Sequence, residues 1–130
     1  PNGESLVDVS QRLRNVLDSL RRETQRAAIC VCHGEVMEAM RIELERMSES
    51  QYEAWERAST KDERLRIRNC QIWHYSRRDP ATGQLTPYLN WKRSALPWAD
   101  YQGPWEPSER RRYSSQELTQ IVDGFERLIS

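Results

Sequence analysis

The sequence has no net charge, few cysteines and no long apolar run, and each of these absences excludes a class of protein. Its 20 basic residues balance 20 acidic ones, whereas a domain that grips nucleic acid needs a clear basic excess. No apolar stretch approaches the roughly 20 residues of a membrane-spanning helix, and no signal-peptide pattern is present. Three cysteines do not make a disulfide framework. We therefore expect a cytoplasmic protein with no nucleic acid and no membrane among its partners.

What the sequence does contain is the composition of a globular domain with amphipathic helices. It has 130 residues, of which 37% are hydrophobic, enough for one modest core. Apolar residues recur at three- and four-residue spacing, which is typical of helices packed on one face. Ser5 and Asp8 have the spacing of a capping box at the start of the first helix. The predicted helices cover residues 5–24, 35–47 and 115–129, with shorter segments at 50–58 and 61–66.

Two other stretches predict strands. Residues 27–32 (AAICVC) are apolar on both faces, as in a central parallel strand covered by helices on each side. Residues 71–75 alternate in polarity, and residues 79–83 have turn chemistry, so 86–92 is predicted to return as the second strand of a hairpin. Residues 94–113, which are rich in proline, glycine and aromatic side chains, predict a packed irregular loop.

These elements predict an α/β fold, a three-layer sandwich with helices on both faces of a mostly parallel sheet. Residues 1–130 are then one domain or the C-terminal portion of one, because two strand segments are few for such a sheet. Within it we expect a core at 1–76, a hairpin and irregular loop at 77–113, and a C-terminal helix at 114–130. The N-terminal part of the sheet would come from another segment or another chain.

The junction of the apolar strand with the next helix is the most informative feature. The strand ends in His33-Gly34 and a helix follows directly. Ligands of open α/β sheets gather beyond the carboxyl ends of strands, and the free amides of a helix N-terminus suit an anion such as phosphate. His33 can donate a hydrogen bond to a phosphoryl oxygen, and Gly34 lets the backbone approach closely. The competing interpretation is a histidine that caps the helix or lies at the core edge.

Three blocks of residues in a fixed order resemble the histidine phosphatase superfamily (phosphoglycerate mutase-like), over roughly residues 1–76. The first block is a Pro-x-Gly-Glu-Ser-x-x-Asp-x-x-x-Arg stretch that opens a helix, the second is a hydrophobic strand ending in His-Gly, and the third is an Asn that begins another strand. The matching residues are Pro1, Gly3, Glu4, Ser5, Asp8 and Arg12, then 29–34, then Asn69 and Cys70. The chain resembles the C-terminal half of such a domain.

The resemblance implies that His33 is the second histidine of a catalytic pocket, which contacts the phosphoryl group, and that the backbone of Gly34 lies near the anion. The nucleophilic histidine of the family lies in an Arg-His-Gly motif, and this sequence contains none. His74, the other histidine, lies in a strand pattern. We therefore expect that the chain cannot catalyse the reaction alone. An N-terminal segment or a second chain would complete the pocket.

The resemblance implies phosphomonoester hydrolysis through a phosphohistidine on the missing half. The substrate would be a phosphorylated small molecule or a phosphoprotein. Transfer of the phosphoryl group between positions of a substrate is the less favoured reaction. The alternative is a non-catalytic phosphatase-like module that binds a phosphorylated ligand or a protein partner. Neither interpretation requires a metal ion or an organic cofactor.

Six other features have both a functional and a structural interpretation. Cys30 and Cys32 precede His33 at alternate positions, but no second ligand pair has zinc-like spacing, so buried strand cysteines are favoured over a metal site. Glu35 is expected to complement the helix N-terminus, Glu4 to be structural, and His74 to be a strand side chain. Arg110–Arg112 can grip a phosphate-bearing substrate or nucleic acid, but a solvated loop is favoured. The aromatic set of Trp91, Trp98, Tyr101 and Trp105 can form a substrate lid, but is more typical of a small core that pins the loop.

Overall fold

The computed structural model describes residues 3–23, 27–108 and 113–124, and in them four helices accompany one small sheet. The elements in chain order are α1 (Leu6–Arg22), α2 (Gly34–Glu45), α3 (Glu49–Lys61), β1 (Ile72–Ser76), β2 (Trp91–Leu96), β3 (Tyr101–Gln102), β4 (Glu106–Pro107) and α4 (Ser115–Asp123), with 3₁₀ turns at Glu63–Leu65 and Pro97–Ala99. Of the helices in these ranges, none has the length and apolarity that crossing a bilayer requires.

The helices begin where the sequence predicts, and in α1, α3 and α4 a local capping box fixes the start. In α1 the backbone amide of Ser5 donates to the Asp8 carboxylate at 2.9 Å, and the Asp8 amide returns a bond to the Ser5 hydroxyl. The predicted capping box is therefore confirmed. The Ser5 hydroxyl, which donates to the Asp8 carboxylate at 2.7 Å, and the Ser5 amide lower the pKa of Asp8. The last helix is described only to Asp123, and the remainder of the predicted 115–129 helix lies outside the described residues.

The sheet is built around β2, which pairs with β1, β3 and β4 in antiparallel fashion. The predicted strand at 71–75 is confirmed by β1, but its partner begins at Trp91 rather than at residue 86. The turn at 79–83 is followed by further bonds between Arg77 and Thr86, which keep the two sides of the connection together. Pro87 has no amide to donate, so a regular ladder resumes only after it.

The expectation of a mostly parallel sheet is wrong for the described residues, where every strand pair is antiparallel. The connections from β2 to β3 and to β4 are too short for the crossover that a parallel pair needs, and the connection from β1 to β2 folds back on itself through the bonds between Arg77 and Thr86. The predicted strand at 27–32 forms no strand, because none of the described segments pairs with it. The side chains of Ile29 and Val31 are 92% and 95% exposed. The described residues of the predicted loop 94–113 are more regular than predicted, since they contain β3 and β4.

Little of the described chain is fully buried, and the core lies between α1 and α2. Leu13 of α1 is 8% exposed and Ala39 of α2 is 0% exposed. The guanidinium of Arg14 also donates to Glu43 across this helix pair at 2.9 Å. A small hydrophobic core of this kind leaves other contacts to hold α2 against the sheet.

A half-buried polar cluster around Glu45 holds the end of α2 against β1 and β2. The Glu45 carboxylate accepts from Lys92 Nζ at 2.7 Å, from Tyr75 Oη at 2.9 Å and from Arg41 Nε at 3.1 Å. Burial and the neighbouring Glu45 charge raise the pKa of Tyr75, so its hydroxyl stays a donor. Arg41 also lies over the rings of Trp55 and Trp73, at 4.9 and 5.4 Å. This cluster joins α2, α3 and the sheet.

Candidate functional site

His33 occupies the cap position of α2, directly after the extended segment 27–32. Its φ and ψ are −74° and 161°, and its carbonyl accepts the first helical bond, from the amide of Met37 at 3.0 Å. The imidazole is exposed and makes no capping hydrogen bond. The histidine is therefore at the helix start, as predicted, but it does not serve as a side-chain cap.

The start of α2 differs from the starts of the other helices. In α1, α3 and α4 a serine hydroxyl accepts from the third helical amide, and the side chain of that third residue returns a bond to the serine amide. In α2 no side chain takes this place. The amides of the first turn have no partner within a helix, so those of α2 are left for a ligand or water. Glu35 lies in this turn and is exposed, as expected of a carboxylate that complements the helix end.

Gly34, the first residue of α2, is not required by the fold. Its φ is not positive, and an added Cβ would meet only Ile67 Cγ2, at the ordinary contact distance of 3.8 Å. An alanine would therefore fit here and would favour the helix. A reason for glycine at this position has to come from something other than packing, such as close approach of a ligand.

The contact with Ile67 brings a tight turn next to the start of α2. The turn runs from Arg68 to Gln71, closed by the Gln71 amide on the Arg68 carbonyl at 3.1 Å, with Cys70 at a φ of 56°. Two residues of the C-terminal part hold it: the Ser94 hydroxyl accepts from Gln71 Nε2 at 2.9 Å, and the Trp98 indole donates to the Asn69 carbonyl at 3.1 Å. Asn69, which matches the family pattern, thus has its backbone anchored beside the candidate site.

Two residues in or beside this turn have a placement that the sequence did not predict. Arg68 has an exposed side chain and makes no ion pair within the described residues, so it is a candidate second positive charge. Trp98 was assigned with its aromatic neighbours to a small core, but its side chain is 61% exposed. Asn69 and Trp98 lie 29 residues apart in the sequence, and only the structure shows that they are hydrogen-bonded to each other.

The remaining candidates occupy other places. Cys30 is exposed and Cys32 is half-buried, and both are free thiols; burial, and then the neighbouring Cys30, raise the pKa of Cys32. Within the described residues no three His, Cys, Asp or Glu side chains gather as metal ligands would. Glu4 pairs with Arg12 at 2.6 Å, which is the structural role expected of it. Arg110–Arg112 lie outside the described residues.

His74 is a side chain of β1, as predicted, and it belongs to a different face of the sheet from the Glu45 cluster. Its ring meets the edge of Trp105 at 4.7 Å between centroids, and its Nδ1 accepts from Arg93 Nε at 3.3 Å. Arg93 in turn lies 4.5 Å from the Trp105 ring. Burial and the Arg93 charge lower the pKa of His74. This packing shows a structural contact and no arrangement for nucleophilic attack.

A cleft of about 470 Å³ lies at the opposite end of α2. Glu45, Lys92 and Glu106 supply its charges, and Lys92 is already paired with Glu45. A cleft whose one lysine is neutralised and whose other charges are negative does not favour a phosphate. The 12 residues of α2 separate it from His33 by about 18 Å.

Comparison with protein families assigns the chain. The model of the histidine phosphatase superfamily (branch 1) matches residues 1–84, which is more than half of the 130 residues. The chain therefore belongs to the histidine phosphatase superfamily, as the ordered motifs predict. The match covers the N-terminal part of the chain and does not show which half of the family's domain these residues represent. Comparison with curated proteins and with solved structures returned no match.

Proposed function

We propose that this protein takes part in phosphomonoester hydrolysis of the histidine phosphatase type, with His33 holding the oxygens of the phosphoryl group. The observation that carries the proposal is the start of α2. In a chain of this superfamily, His33-Gly34 opens the one described helix whose first-turn amides receive no capping side chain. That position suits an anion more than any other described helix start does.

The chemistry of this site follows from charge. During phosphoryl transfer negative charge spreads over the three equatorial oxygens, and donors placed around them stabilise the transition state. The His33 imidazole is exposed and can donate to one oxygen, while the amides of Gly34 and the next residue receive no capping side chain and are left to bind others. Gly34 lets the phosphate approach the backbone, since a Cβ at this position would stand beside the anion. No metal ion and no organic cofactor enters the proposal.

The nucleophile is a separate requirement. Residues 1–130 hold no Arg-His-Gly motif, and His74 is engaged by Trp105 and Arg93. We propose that residues 1–84 correspond to the C-terminal half of the catalytic domain, and that an additional segment or a second chain carries the phosphorylated histidine. The exposed apolar segment 27–32 supports this, because it has the composition of a central strand in a mostly parallel three-layer sheet and lacks a described partner. A cytoplasmic location also stays part of the proposal.

Substitution of His33 tests the role directly. In the full-length protein, His33→Ala should lower hydrolysis of 4-nitrophenyl phosphate by about 10²- to 10³-fold, since one transition-state donor is lost. Gly34→Ala should keep the fold, because its Cβ has room, yet weaken competitive inhibition by inorganic phosphate. His74→Gln is the matched control and should retain the rate within about twofold. A His33→Ala protein as active as the wild type would remove His33 from the pocket.

A non-catalytic phosphate-binding module is the second candidate, and the missing nucleophile motif favours it. The two candidates differ in one result. If the full-length protein binds inorganic phosphate through His33 but releases none from 4-nitrophenyl phosphate, the module is correct and the hydrolase is wrong. If hydrolysis occurs and depends on His33, the reverse holds.

A further inference from the structure

Trp98 is exposed to an extent that packing does not explain. Its side chain is 61% exposed, yet its orientation is fixed, because the indole N–H donates to the Asn69 carbonyl at 3.1 Å. It follows β2 in the 3₁₀ turn Pro97–Ala99, where the proline presets the backbone. A large aromatic ring that is held rigid and left open is typical of recognition surfaces, since it offers contact area at little cost in conformational entropy.

The other tryptophans with described ring contacts are occupied within the protein. Trp55 and Trp73 lie beneath the Arg41 guanidinium, and Trp105 meets both His74 and Arg93. Among the described residues the Trp98 ring has no aromatic or cationic partner of this kind. The face of its π-system therefore remains available for a ligand.

A short chain of contacts places this ring beside the start of α2. A Cβ added at Gly34 would lie 3.8 Å from Ile67 Cγ2, so the two residues are neighbours, and Asn69 follows Ile67 by two residues, which span at most about 7 Å. The Asn69 carbonyl then meets the Trp98 indole. The turn between them is fixed on its other side by the bond from Gln71 to Ser94. Trp98 is thus linked, through one turn, to the residue that directly follows His33.

From this placement we infer that Trp98 forms an aromatic wall of the substrate site, and that the phosphomonoester bound at His33 carries a flat aromatic group. The inference rests on the proposed function of His33. The phosphate binds at the amides of α2, and the aromatic group stacks on the open face of the indole. Trp98 lies beyond the matched residues 1–84, so it selects the substrate and is not part of the phosphate-binding chemistry.

Selectivity between two kinds of phosphomonoester tests the inference. For the full-length protein, Trp98→Ala should lower kcat/KM about tenfold for phenyl phosphate or adenosine 5′-monophosphate, since one stacking contact is lost. The value for glycerol 3-phosphate, which has no ring, should stay within about twofold. The aromatic substrate whose kcat/KM falls further shows whether the site prefers a simple aryl group or a nucleobase. An equal loss for all three would show that Trp98 only positions the Asn69 turn, and would overturn the inference.

Trp98→Phe separates the ring from its hydrogen bond. Phenylalanine keeps an aromatic face but cannot donate to Asn69, so most of the preference for aromatic substrates should remain. If Trp98→Phe behaves like Trp98→Ala for every substrate, the bond to Asn69 is what matters and stacking is excluded. Leu85→Ala is the matched control, because it removes another exposed apolar side chain, in the connection between β1 and β2. It should leave kcat/KM unchanged for aromatic and non-aromatic substrates alike.

Proton resonances give a readout that does not depend on turnover. The chain has two histidines and five tryptophans, so His74 and the other four indoles serve as internal controls. Phenyl phosphate should shift the signals of both His33 and the Trp98 indole, whereas inorganic phosphate should shift His33 alone. A shift of His33 without Trp98 would overturn the inference and leave the proposed function standing. If neither signal moves, the phosphate site itself is wrong.

Discussion

Two segments of this chain, 27–32 and 71–75, each predict a strand, and only the second becomes one, as β1. β1 pairs along its whole length with β2, from Ile72 opposite Ala95 to Ser76 opposite Trp91. Residues 27–32 stay extended and exposed, with no pairing in the described structure. The segment that did not form a strand is the more apolar of the two.

The difference shows that hydrophobicity predicts a strand only where a partner is present. Each strand residue carries an amide and a carbonyl that need hydrogen bonds, and a neighbouring strand supplies them for β1. β1 also gains side-chain contacts on α2, since Tyr75 bonds Glu45 and Trp73 lies beneath Arg41. His33 directly follows residues 27–32, so the segment next to the candidate site is the one that has no strand partner among the described residues.

The largest expected effect is on hydrogen exchange. Amides of β1 that point toward β2 should exchange at least about 10²-fold more slowly than the amides of 27–32, because only the former are bonded. Nuclear magnetic resonance or mass spectrometry on residues 1–130 measures both. Equal exchange in the two segments would contradict the comparison, and slow exchange at 27–32 would show that these amides are hydrogen-bonded in solution.

Truncating a side chain to alanine should lower the free energy of unfolding much more in β1 than in residues 27–32. Trp73→Ala removes a half-buried ring that contacts Arg41 and should lower the free energy of unfolding by about 2–3 kcal/mol. Val31→Ala removes an exposed side chain and should change it by no more than about 0.5 kcal/mol. Urea denaturation followed by tryptophan fluorescence gives both values. A large loss for Val31→Ala would mean that 27–32 is packed in solution.

The smallest expected effect is a pH dependence of the stability, which comes from His74 in β1. Burial and Arg93 lower the folded-state pKa of His74 below its ordinary 6.5, so the unfolded chain binds the proton more readily. Stability from this group is therefore present above pH 6.5 and is lost as the pH falls through the folded-state pKa. His74→Gln should flatten the stability profile between pH 7 and pH 5. A profile with the same slope in both proteins would show that Arg93 and Trp105 do not restrain the imidazole.

Most helices followed from the sequence, because their signals are local. Ser5 and Asp8 lie within one turn of each other, and the apolar spacing that follows needs only its own residues to be recognised. The hairpin was predicted as an antiparallel pair, but its return strand was placed too early. The connection from Arg77 to Thr86 depends on bonds between residues distant along the chain, and these are invisible in a pattern of polarity.

The residues of the candidate site also fall into those that a local sequence pattern predicts and those that it does not. His33-Gly34 was predicted because a motif and a helix start lie next to each other in sequence. Trp98 was named only within an aromatic set for which a small core was favoured over a substrate lid, and its contact with the Asn69 turn was not predicted, because that bond spans 29 residues. The Glu45 cluster was missed for the same reason, since Lys92 lies 47 residues away from Glu45.

The sequence by itself determined that this chain belongs to a superfamily of phosphate enzymes, where its helices start, and that His33 precedes one of them. These features depend on neighbours along the chain and on the order of short motifs. Only the tertiary structure decided which apolar segment pairs as a strand, that the described sheet is antiparallel, and that Trp98 stands beside the turn next to α2. Each of these depends on which distant groups meet, because a strand needs a bonded partner and an indole donor needs an acceptor.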